Sequence, residues 1–180
     1  MRLLILLLAS SAAAATLAPA YAQDAACGRS IPVDLRARTV ASMSLDTVPE
    51  RLIELLGTAR VRVDTTYPEG HASTVYDVQF CKHTVRRLWN SVTWTDSIFR
   101  TPEGLGVGSQ IQDFDRAYGE GEGVWGEGPS VRYSPPGATG HFFLEAGGQC
   151  FAPQPGKIVI NRACQVTRIS FIILSPRPGR

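Results

Sequence analysis

Histidine and methionine are scarce in this sequence, with three copies and two, and charged side chains make up only 19% of it. The formal net charge is +2. A chain this close to neutral has no basic field to hold nucleic acid or an anionic membrane surface, so neither is expected as a partner. Past the first residues no apolar run approaches the roughly 20 residues that cross a bilayer, and no membrane span is expected. Signatures of catalysis are also missing. His71, His83 and His141 lack the i, i+4 spacing of a helical zinc site. There is no Cys-x-x-Cys pair for zinc or redox chemistry. No lysine follows the glycines in phosphate-loop spacing, and Gly106-Val-Gly-Ser-Gln110 falls short of a nucleophile elbow. Asp113 and Asp115, two apart on a helix, point in different directions and do not form a carboxylate pair. No catalytic residue, metal or cofactor is expected, and the chain is read as not an enzyme.

What is present is ordinary globular composition, 44% hydrophobic, with four cysteines and seventeen glycines. Arg2, the apolar run 3–8 and the small-residue stretch ending Ala20-Tyr21-Ala22 read as a signal peptide over 1–22. A periplasmic or secreted location follows, and an oxidising compartment favours disulfides. Cys150 and Cys164 bracket a short Pro/Gly segment that reads as a hairpin connection, so they are expected to pair. Cys27 is then left for Cys81, tying an N-terminal arm to the body.

Two stretches of the chain align without gaps. Residues 44–57 and 106–119 match Thr47 with Ser109, Leu52 with Phe114, Leu56 with Tyr118 and Gly57 with Gly119. Each reads as a short helix, over 46–56 and 108–118. Thr47 and Ser109 are the candidate N-caps, and the glycines stand where a left-handed C-terminal residue is wanted. Val48, Leu52, Leu55 and Leu56 make one apolar stripe, and Ile111, Phe114, Ala117 and Tyr118 the other. Strand-like alternation follows each helix. It covers 61–65, 76–80 and a longer run over 84–94 in the first half, then 131–134, 141–145, 157–161 and 165–174 in the second. The expected fold is therefore α+β: two tandem helix-plus-antiparallel-strand units sharing a curved sheet. Residues 23–96 hold the arm and first unit, and 97–180 the second.

Gly104-Leu-Gly-Val-Gly-Ser-Gln-Ile, Ala117-Tyr-Gly and Val166-Thr-Arg-Ile-Ser-Phe resemble small secreted bacterial envelope domains. The class is typified by the β-lactamase inhibitor protein and the small lipoprotein of the outer-membrane assembly machine. The resemblance spans most of 40–174. It implies helices on one sheet face and a binding surface on the other. The lipid-anchoring cysteine of the lipoprotein branch is missing, and no specific partner carries over.

Two segments stand out for function. Arg86-Arg87-Leu88-Trp89 reads as a strand with solvent-facing arginines beside a packed tryptophan. The stretch 120–127 combines glycines with Glu120, Glu122, Glu127 and Trp125. It lacks the fixed order of a calcium loop. One reading exposes Trp125 as an anchor for a partner, with the carboxylates steering toward a basic surface. The other starts the next strand at Val124 and lays the indole over the core beside Tyr118. The leading function is a secreted, non-enzymatic protein-binding or inhibitor-like module of the bacterial cell envelope. A structural or assembly accessory is the second reading, and an enzyme with a site assembled from distant residues the third.

Overall fold

The computed structural model describes residues 30–172, apart from 68, 69, 89, 90, 127, 137 and 139. The expected signal peptide over 1–22 and the expected Cys27–Cys81 pairing lie outside the described residues.

In chain order the elements are β1 (Ile31–Asp34), β2 (Thr39–Val40), β3 (Met43–Ser44), α1 (Pro49–Leu56), β4 (Val61–Thr66), β5 (Ser73–Phe80), β6 (His83–Leu88), β7 (Ser91–Trp94) and β8 (Phe99–Arg100). There follow α2 (Ile111–Tyr118), β9 (Glu122–Trp125), β10 (Pro129–Tyr133), β11 (Phe142–Glu145), β12 (Phe151–Gln154), β13 (Lys157–Ile160) and β14 (Arg168–Ile172). Eight strands form one antiparallel sheet in the order β4-β5-β6-β7-β14-β11-β10-β9. A four-stranded sheet, β3-β2-β1-β8, joins residues near the two ends of the first half, with β1 and β8 parallel. β12 and β13 make a separate hairpin.

The expected fold class needs correcting. About 46% of the described residues are in strands and 13% are helical, so the chain is mostly β with large antiparallel sheets. It is not an α+β pair of tandem helix-and-strand units. The physical reason lies in segments whose strands are too short to show alternation. β2, β3 and β8 have two residues each, yet they build a whole sheet. Both helices are also shorter than expected, at eight residues. The run 84–94 divides into two antiparallel strands, β6 and β7.

Alternation along each strand sends one set of side chains to the core. Val61, Val78, Val85, Trp94, Ile169, Leu144 and Val131 are buried there, as are Val92, Phe171, Phe142 and Tyr133. α2 closes this face. Phe114 is fully buried and lies 6.3 Å from Tyr133 and 6.4 Å from Phe142, ring centre to ring centre. Tyr133 and Phe142 stack at 4.9 Å. α1 contributes Leu52, also buried. Its expected stripe holds less well, because Val48 and Leu55 are exposed.

The helix ends differ from expectation too. α1 starts from Val48, with Pro49 in the first turn and no side-chain cap. In α2 the cap residue is Gln110, whose N–H is accepted by Asp113 at 3.3 Å. Ser109 instead accepts the Gly106 N–H at 3.1 Å, pinning the glycine loop. Gly57 and Gly119 do end the helices, at φ 77° and 86°, but with ψ of 160° and 167°. That extended, positive-φ basin is essentially open to glycine alone.

Candidate functional site

The second face of the eight-stranded sheet carries the other half of the alternation. One row crosses all eight strands: Arg62, Asp77, Arg86, Thr93, Ser170, Phe143, Arg132 and Glu122 are successive cross-strand neighbours. Its centre, Thr93–Ser170–Phe143, is neutral and half-buried. Its flanks are ionic. Arg86 donates to both carboxylate oxygens of Asp77, at 2.8 and 3.0 Å. This bidentate pair holds the guanidinium more firmly in its charged form. On the other flank Arg132 pairs with Glu122, and one row away Arg168 pairs with Glu145. Chemically this is a face with a neutral middle between arginine–carboxylate pairs.

The segment carrying Trp125 is anchored from below. Asp115, on α2, gathers three donors on one carboxylate oxygen: the Tyr133 hydroxyl at 2.7 Å, Arg162 at 2.9 Å and the Gly121 N–H at 3.1 Å. Arg162 also donates to the Gly121 carbonyl at 2.7 Å. Burial, then the bond to Asp115, pushes the Tyr133 phenol well above its ordinary range, so it remains a donor. The far end of α2 is closed by Arg36, which donates to the Ala117 carbonyl at 2.9 Å and lies 4.9 Å from the centre of the Tyr118 ring. A cation suits that end of a helix. Tyr118 donates to Glu103 at 2.8 Å.

Trp125 is the last residue of β9 and is 61% exposed. Its indole therefore does not cover the core beside Tyr118. Glu122 is the first residue of that strand and Glu120 is exposed just before it. Neither carboxylate stands alone, since Glu122 pairs with Arg132 and Glu120 lies 3.5 Å from Arg162. Glu127 lies outside the described residues. Cys150 and Cys164 are joined, Cα atoms 6.0 Å apart. Arg87 overturns the expectation of two solvent-facing arginines: it is 5% exposed and donates to the Leu45 carbonyl, while Arg86 faces solvent. The expected alternation itself forces this, because Val85 and Arg87 share a face.

Asp115, Arg162, Tyr133, Arg36 and Glu103 carry the polar architecture and were not legible as a group. The bonds that join them to one another, to Tyr118 and to Ala117 span 15 to 81 residues of sequence. Two of the three histidines pair, His83 with Asp96 and His141 with Ser134 at 2.7 Å. Among the described residues no group of His, Cys, Asp and Glu could hold a metal ion, and no helix is long and apolar enough to cross a membrane.

No protein-family model and no curated protein matches the chain. Among solved structures, the chain is similar to the uncharacterized protein YfeY from Escherichia coli, at 14% identity and a TM-score of 0.48, over 79% of this chain and 99% of that one.

Proposed function

We propose that this chain is a non-enzymatic protein-binding module of the bacterial cell envelope, located in the periplasm or secreted. The carrying observation is Trp125: a large aromatic, 61% exposed, on a strand paired along its length to β10. A rigidly mounted Trp gives broad contact area at low entropic cost, which is why it is enriched among interface hot spots. By alternation Trp125 lies on the opposite face of β9 from Glu122 and Arg132, so the contact is placed at the β9 end of the sheet and not on the ionic face. The leader-like N-terminus and the Cys150–Cys164 disulfide support an oxidising compartment. The resemblance to small envelope domains supports the same class.

Capture of a partner from periplasmic extract, with wild type and Trp125→Ala side by side, tests this. The expected result is loss of the captured protein at unchanged melting temperature. Equal capture by both, or a matching drop in stability, contradicts the role given to Trp125. A single soluble partner fits an inhibitor-like module, and an outer-membrane complex fits an assembly accessory.

A further inference from the structure

Among the described residues no strand covers the outer edge of the sheet at β4, which is exposed from Arg62 onward and buried only at Val61, and its chemistry is self-complementary. No described strand pairs with its far side. Five of its six residues are exposed. The Gln79 N–H donates to the Arg60 carbonyl at 2.8 Å, which makes 60 and 79 a hydrogen-bonded pair in the β4–β5 register. Such pairs alternate along an antiparallel ladder, so Arg62, Asp64 and Thr66 bond inward to β5. Val61, Val63 and Thr65 then turn their N–H and C=O groups outward. The Thr65 N–H confirms that direction, because its acceptor is the side chain of Asp64, at 2.8 Å, and not β5.

We propose that β4 is a homodimer interface, in which a second copy of this chain adds its own β4 antiparallel about a two-fold axis at Val63. Val63 then faces Val63 of the other copy as a hydrogen-bonded pair, and Val61 and Thr65 face each other on either side. In that register Arg62 stands directly opposite Asp64 of the other copy, and Asp64 opposite Arg62. Opposite charges directly across a ladder stabilise it, and like charges destabilise it. Within one chain Arg62 and Asp64 are 3.5 Å apart, both well exposed, so both are free to reach across. Asp64 exchanges the Thr65 N–H for an arginine, while that N–H takes the carbonyl of Val61 from the partner strand. Val63, 49% exposed, and Tyr67, 68% exposed, lie at the same edge and lose water on pairing.

Edge strands are commonly blunted by charge. A strand blunted against its own kind carries like charges or proline. Here the two charges are opposite in sign and symmetric about Val63. Sedimentation over a dilution series, using the full chain, tests the proposal. The expected result is a reversible monomer–dimer equilibrium. Arg62→Asp should weaken it by roughly tenfold or more, because it places like charges opposite each other twice. Arg62→Asp combined with Asp64→Arg restores the complementary pairs and should recover wild-type association. Val63→Pro should abolish the dimer while leaving the monomer folded, since the N–H it removes faces outward. A monomer at every concentration overturns the proposal. So does a dimer indifferent to Arg62→Asp, or a double variant no better than the single one.

Discussion

The two ends of the eight-stranded sheet are built from comparable parts and finished differently. At one end β4 lies beside α1, whose Leu55 and Val48 are exposed and whose first turn has no side-chain cap. At the other, α2 packs on β10 and β11 next to β9, and its Ile111, Phe114 and Tyr118 are all buried. The β9 end also has a cover. The β12–β13 hairpin brings Ile158 so close that a Cβ on Gly123 would sit 2.8 Å from the Ile158 Cβ. Cys150 and Cys164 bracket that hairpin and fix its base. Burial, a polar clamp and a covalent staple are therefore concentrated at one end. Among the described residues the other end has no such hairpin or staple, and part of its helix stripe is exposed. Regions with few buried apolar contacts are the ones that open first and that meet partners.

The largest effect should come from removing the aromatic contact that α2 makes with the sheet. Phe114→Ala deletes contacts to Tyr118, Tyr133 and Phe142 and should cost about 3–5 kcal/mol in denaturant unfolding. Leu52→Ala, the matched position on α1, should cost less, about 2–3 kcal/mol. Equal losses would erase the contrast between the two helices.

Next is the staple. Replacing both Cys150 and Cys164 with serine opens a loop of 14 residues' separation and should lower stability by about 3 kcal/mol. The loss should be confined to the β9 end, read as raised amide exchange in 151–160. A uniform rise across the sheet would deny the hairpin its local role.

Acidification provides a smaller effect. Burial disfavours the Glu103 carboxylate, but hydrogen bonds from Tyr118 and Thr101, with help from Arg36, outweigh it and hold the group below its ordinary value of 4.5. Asp96 is likewise held below 3.8: the Ile98 N–H and His83 overcome the cost of burial. A carboxyl depressed by folding stabilises the protein above its unfolded value, and that stability is lost as pH falls through the folded one. Melting temperature should therefore fall below about pH 4.5, and Glu103→Gln should flatten part of that slope. An unchanged slope would remove Glu103 from the α2 clamp.

The smallest effect belongs to the open end. Leu55→Ala should change stability by under about 0.5 kcal/mol, since its side chain is exposed. A loss near that of Leu52→Ala would mean that the α1 face is covered after all.

How far the sequence carried these features depended on length of signal. Strands with a clear period-2 pattern, such as 76–80, and the apolar stripe of α2 were readable because each repeats several times over a short span. β2, β3 and β8 repeat only once, and their sheet was missed. The stripe of α1 was over-read because an apolar residue at helical spacing needs a neighbour to bury it, and Leu55 has none close enough. Trp125 allowed two readings, since its exposure depends on how Gly123 and Ile158 meet across 35 residues of sequence. The Cys150–Cys164 pair was legible because its spacer is local. The Asp115–Arg162–Tyr133 clamp is assembled from three separate segments and leaves no local pattern.

Residue-resolved amide hydrogen exchange at high dilution, where association is absent, compares the two sheet ends most directly. The outward amide of Val63 on β4 should exchange fast and those of Arg62, Asp64 and Thr66 more slowly, while the β9 amides bonded to β10, Glu122 and Val124, should be slower still because the hairpin covers that end. Slow exchange at Val63, or amides of Glu122 and Val124 as fast as that of Val63, would contradict a sheet whose β9 end is covered by the hairpin and whose β4 end is not.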